Sequence, residues 1–127
     1  MQSRRRNHAL WCDAIAGLDL PLKVFPELSG TRHAAFAFPM LIQPDAGIDR
    51  ATLCARLEAR GVDTRPISGS NLARQPAFAQ VPGARVEGEL TVADAVHDRG
   101  FFVGQSHAFG QAQIELLIDA LGSAFRD

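Results

Sequence analysis

Arg65, Asn71, Arg74 and Gln75 follow one another closely inside Gly61–Phe78, GVDTRPISGSNLARQPAF, a stretch otherwise rich in Gly, Ser and Pro. Guanidinium groups pair bidentately with carboxylate and phosphate, and the two amide side chains add hydrogen-bond donors and acceptors. Such a set suits a clamp for an anionic, hydroxyl-rich ligand, and loops that expose fixed polar groups are where sites are built. The plainer reading of the same residues is a basic surface loop. His107, in GQSHAFG just past the apolar FFVG segment, is the other candidate. An imidazole at a strand end beside small residues can hydrogen-bond a ligand or phosphate and change charge near neutral pH. Its plainer reading is a helix-capping or surface histidine.

Other chemistries lack their signatures. There is no GxSxG elbow for a nucleophilic serine and no GxxxxGK[ST] or GxGxxG phosphate cradle. Glu87 and Glu89 alternate along an extended segment and read as solvated. His8, His33, His97 and His107 have no metal-ligand spacing with each other or with Cys12 and Cys54, so no metal site is expected. Twelve of the 13 basic residues are Arg and one is Lys23. A lysine Schiff base must therefore use Lys23 or lie outside this chain.

The elements that position these residues follow from periodicity. Leu10, Trp11, Ala14, Ile15 and Leu18 predict an amphipathic helix over residues 4–18. His33–Gln43 reads as a buried strand in which Pro39 argues for an edge position or a break. Asp49 is a good N-cap for a helix to Arg60, with Ile48 and Leu53 placed as a hydrophobic staple. Gly61 is then the left-handed residue that closes it. Val62–Ile67 predicts a short strand that carries Arg65, and residues 68–90 form a long loop that must have a job or cover something. Thr91 is placed to cap a short helix through His97, with Asp94 at the fourth position of the capping pattern. Phe101–Gly104 is a short buried strand. In Gln111–Phe125, the residues Ile114, Leu117, Ile118, Leu121 and Phe125 share one helix face. This order predicts an α+β fold, a two-layer sandwich with a small, mainly antiparallel sheet and helices on one face.

The chain has 127 residues, 46% hydrophobic and 21% charged, with a formal net charge of -1. That is the size of one domain, residues 1–127, able to bury a core without disulfides or metals. The charge gives no electrostatic case for nucleic acid or an acidic membrane surface. Arg4-Arg5-Arg6 reads as the solvated start of a helix. No secretory signal or membrane span is visible, and two cysteines without a CxxC partner fit a reduced, cytoplasmic protein.

In order along the chain, these residues resemble the C-terminal small domain of the DegT/StrS-type sugar aminotransferases. The likeness runs through Arg4-Arg5-Arg6-Asn7 in the first helix, DRATLCARLEARGVDTRP, then Asn71-Leu72-Ala73-Arg74-Gln75-Pro76 and Gly88-Glu89-Leu90-Thr91-Val92-Ala93-Asp94. Within that family it is similar to the branch of lipopolysaccharide-sugar 3-dehydratases. The resemblance implies the small domain of the aspartate-aminotransferase fold, closing over a cofactor cleft. It implies PLP or PMP as cofactor in the complete enzyme, with none bound by this chain alone, and a nucleotide-linked 4-keto sugar as substrate. Arg65 carries over as the anion-binding position, with Asn71 and Arg74 lining the same mouth. The family's more typical loop has a histidine where this chain has Asn71 and Arg74. The cofactor lysine, or the histidine replacing it in the 3-dehydratases, belongs to the large domain. The chain is accordingly expected to be a fragment, split-gene product or relic that is not catalytic alone, with a large domain or homodimer partner. The alternative is a stand-alone α+β binding or interaction module.

Overall fold

A computed structural model describes residues 2–33, 36–67, 69 and 71–127. Ala34 and Ala35 of the expected first strand, and Ser70 at the head of the loop motif, lie outside the described residues. Among the described residues there are four α-helices: α1 (Gln2–Ala16), α2 (Arg50–Glu58), α3 (Thr91–Arg99) and α4 (Gln111–Arg126). Four strands, β1 (Leu22–Val24), β2 (Ala37–Ile42), β3 (Thr64–Pro66) and β4 (Gly100–Gly104), form one antiparallel sheet in the order β1-β2-β4-β3. The fold is the expected α+β sandwich.

Period-two alternation sends Phe38, Met40 and Ile42 of β2, and Phe101 and Val103 of β4, into one buried face. Trp11, Cys12 and Ile15 of α1, Leu53 and Leu57 of α2, and Ile114, Leu117, Leu121 and Ala124 of α4 complete that core. The Trp11 and Phe38 rings meet edge to face, 5.2 Å between centroids. Asp49 caps α2 as its sequence predicts, accepting from the Thr52 amide at 2.8 Å, and Gly61 follows the helix at φ +81°.

Three expectations are corrected. The structure adds a strand, β1, that no sequence period marks, because three residues between Pro21 and Pro26 are too short to display one; Lys23 lies inside it. Although Pro39 argued for an edge, β2 is a central strand. The Gln43 amide donates to the Pro21 carbonyl, so by alternation the Pro39 nitrogen also faces β1, which has already ended opposite Met40. The missing N–H is thus at a position where no ladder bond is required. Thr91 does not cap α3: the N-cap is Leu90, without a side-chain hydrogen bond, and the helix extends to Arg99.

Both thiols are free, and burial pushes Cys12 up to about 11 and raises Cys54 as well, so both stay protonated near neutral pH. Among the described residues, no helix is long and apolar enough to cross a membrane, and no cluster of His, Cys, Asp or Glu is placed to hold a metal ion.

Candidate functional site

The long loop is built from two 3-10 turns, Leu72–Arg74 and Pro76–Gln80, joined at Gln75. Asn71 opens the first turn: its Oδ1 accepts from the Ala73 amide at 3.0 Å, the local bond that makes asparagine a turn starter. Pro76 starts the second turn at a position where proline's fixed φ is already suitable. Gln75 is half-buried, and its amide N–H donates to the Leu72 carbonyl.

The structure joins this loop to α3 through Asp94. Arg74 donates from Nε to Oδ1 at 2.8 Å and from Nη2 to Oδ2 at 2.9 Å, a fork on one carboxylate. Asn71 Nδ2 adds a third bond to Oδ1 at 2.7 Å. Arg74 holds the Asp94 carboxyl below the usual carboxylate range, chiefly through its hydrogen bonds, and Asn71 contributes in the same direction. The pair raises Arg74 in turn. Asn71 is only 3% exposed, so its amide serves the interior of the loop. A cleft beside this brace is lined by Asn71, Leu72, Phe78, Arg85, Val86 and Leu90.

Arg65 differs. It stands exposed on β3 opposite Phe102 of β4, and its Nη1 donates to the Thr64 carbonyl at 2.7 Å. Among the described residues no carboxylate lies within ion-pair distance of it. Arg65 is therefore the candidate cation whose charge has no internal counterpart.

His107 is also exposed, in the turn that follows β4. Asn7 of α1 pins that turn by donating to the Phe109 carbonyl at 2.8 Å and the Ser106 carbonyl at 3.3 Å. The turn leaves β4 at Gly104, whereas α3 with Asp94 enters it at Gly100. That separation is about 13 Å along the strand. The structure gathers Asn71 and Arg74 on Asp94 of α3, the helix that precedes β4, and puts His107 in the turn that follows β4.

The sequence places Asp94 in a capping pattern and in the family motif Gly88–Asp94, and Asn7 in the Arg4–Asn7 motif, but it gives neither residue a bonding partner. Asp94 is 20 residues beyond Arg74, and no periodicity links a loop arginine to a helix carboxylate across that distance. A second buried polar residue, His8, is held by the Phe25 carbonyl, with 2.8 Å between Nε2 and the oxygen, and packs edge-on against His33.

The DegT/DnrJ/EryC1/StrS aminotransferase family matches residues 1–122. The chain is 35% identical over 122 residues to a dTDP-4-dehydro-2,6-dideoxy-D-glucose 3-dehydratase of Saccharopolyspora spinosa, covering 94% of this chain and 25% of that protein. It is 38% identical over 69 residues to the lipopolysaccharide biosynthesis protein RfbH of Salmonella typhimurium, covering 54% of this chain and 16% of that one. In structure it is similar to an E. coli GDP-4-keto-6-deoxy-D-mannose-3-dehydratase with bound hydrated PLP: TM-score 0.80, 26% identity, 94% of this chain and 30% of that one. A DegT DnrJ EryC1 StrS aminotransferase from Brucella abortus shares the fold at TM-score 0.75 and 21% identity, covering all of this chain and 31% of that one. The chain thus spans about a quarter to a third of the first relative and of these two structures.

The residues present do not fit PLP. An aldehyde cofactor of this kind is held by a lysine amine, a phosphate cradle and an acidic partner for the pyridine nitrogen. The one lysine, Lys23, lies on a three-residue edge strand with its ammonium 5.6 Å from the centre of the Phe25 ring. A match that runs from residue 1 to residue 122, carried on the same sheet and helices, settles kinship without supplying cofactor chemistry: the chain belongs to the DegT/DnrJ/EryC1/StrS aminotransferase family.

Proposed function

We propose that this chain supplies the small-domain part of a PLP- or PMP-dependent enzyme acting on nucleotide-linked 4-keto sugars, in cytoplasmic steps of cell-surface polysaccharide synthesis. The observation that carries the reading is the unbroken match over residues 1–122 to a family whose similar members include a sugar 3-dehydratase. In this reading the chain forms one lip of a cleft. A large domain, or a homodimer partner, brings the cofactor and the other lip.

The lip's own chemistry is recognition. Arg65, exposed and without an internal carboxylate, presents a guanidinium fork to a phosphate or carboxylate of the substrate or amino donor. Asn71 and Arg74 shape the neighbouring loop, Gln75 joins its two turns, and His107 lies apart from them. No bond-making step is assigned to any of these residues.

The test is a chimera in which residues 1–122 replace the corresponding quarter of the Saccharopolyspora spinosa 3-dehydratase. Arg65→Ala in that chimera should raise KM by about tenfold or more, the loss of one charge-assisted hydrogen bond, with little change in Tm. An unchanged KM would remove Arg65 from the site, and gross unfolding would make it a structural residue.

A second reading, a stand-alone interaction module, is favoured by one observation. Phe36 (72%), Leu72 (72%) and Val92 (78%) are large apolar residues left mostly in solvent.

A further inference from the structure

We propose that Asp94 is a positioning residue of the candidate site, acting through Asn71 and Arg74 to fix the edge that the loop presents to an anion. This rests on the anion-binding reading of the loop. Three donors converge on one carboxylate: Arg74 Nε at 2.8 Å, Arg74 Nη2 at 2.9 Å and Asn71 Nδ2 at 2.7 Å. A guanidinium bound along its Nε–Nη2 edge cannot turn its plane without breaking both bonds. What remains is Nη1, which has no hydrogen-bond partner among the described residues, on a side chain that is 59% exposed. Asn71 is fixed at both ends, by the Ala73 amide and by Asp94. One carboxylate on α3 therefore determines where both loop side chains point: among the described residues no other carboxylate lies within ion-pair distance of Arg74, and Asp98, one turn further along α3, adds only a through-space attraction.

The opposing view is that Asp94 merely neutralises Arg74. The two roles differ in sign. A neutralising carboxylate weakens anion binding, so its removal strengthens binding through the added positive charge. A positioning carboxylate has the reverse effect, because the preorganised edge is lost with it.

The test uses the full chain, titrated with pyrophosphate and with L-glutamate to tell phosphate from carboxylate. NMR exchange of the Arg74 Nε–H reports the fork itself. Asp94→Asn should bind the preferred anion about tenfold more weakly, despite one negative charge fewer, and should exchange that proton at least tenfold faster. Asp94→Glu, which keeps the carboxylate, should recover part of both. Unchanged or stronger binding by Asp94→Asn overturns the proposal.

If neither anion binds the wild-type chain, the anion-binding reading of the loop falls. The exchange rate then decides Asp94 alone: slow exchange lost only in Asp94→Asn sustains its positioning role, and equal rates overturn it. Should Asp94→Asn fail to fold, Arg74→Lys keeps the charge without the fork. Weaker binding by that variant supports the proposal, and unchanged binding overturns it.

Discussion

The guanidinium groups of Arg50, Arg56 and Arg99 reach backbone carbonyls of neighbouring elements, at His97 and Gly100, at Ala124, and at Ile42 respectively. Such bonds satisfy carbonyls that helix and strand ends leave without partners, and a planar fork suits that task better than an ammonium. Arg74 is held by Asp94 with Nη1 left over, whereas Arg65 has no carboxylate within ion-pair distance among the described residues. Asn71→Ala should lower stability by about 1–3 kcal/mol, because the Ala73 amide and Asp94 each lose a partner that is itself buried. A thermal melt that does not move would show the brace to be idle. Glu27 gives an acid-side prediction. Its carboxyl is held down to about 2, first by the Arg5 hydrogen bond and then by the His33 amide. A depressed carboxyl stabilises the fold above its ordinary value of 4.5 and loses that contribution as pH falls toward about 2. Glu27→Gln should flatten this part of the stability profile in acid melts, and superimposable profiles would refute the assignment. Residue types alone marked Arg65, Asn71 and Arg74 as noteworthy. They could not reveal that Arg74 is paired, since its partner is on a helix 20 residues away.

At the scale of elements, legibility followed length and capping chemistry. The helix α4 has whole turns of Ile114, Leu117 and Leu121 on one face, and α2 has both Asp49 and Gly61 to mark its ends. A three-residue β1 has neither, so nothing in the sequence marks it. Gly100 sits at the junction that carries α3 into β4. A Cβ there would lie 2.5 Å from the Val96 carbonyl oxygen and 2.9 Å from Ile67 Cδ1. Gly100→Ala must therefore shift the end of α3, the helix that holds Asp94. It should cost about 1–3 kcal/mol as overpacking, read as a lowered Tm. An unchanged Tm would mean that α3 moves freely against the sheet, and the positioning of the loop by Asp94 would then have no fixed base.

At the scale of the whole molecule, the core is complete on one side of the sheet, while Phe36, Leu72 and Val92 stand in solvent. The relatives that match are three to four times longer, so in the proposed reading their remaining chain has the length to cover exposed apolar residues of this kind. The isolated chain should then self-associate at micromolar concentration, with a mass by light scattering above that of one copy. A clean, stable monomer would argue that no large apolar face is open. Fold class was readable from sequence because periodicity is local. Cofactor chemistry was not, because a lone lysine on a three-residue edge strand carries no pattern that points to a cofactor.

The most direct measurement is steady-state turnover by the chimera in which residues 1–122 stand in for the corresponding quarter of the Saccharopolyspora spinosa 3-dehydratase. We predict a folded, PLP-loaded protein that dehydrates the parent enzyme's sugar. A chimera that folds and carries PLP but neither binds nor turns over the sugar would contradict the claim that this chain is the substrate-facing lip of such an enzyme.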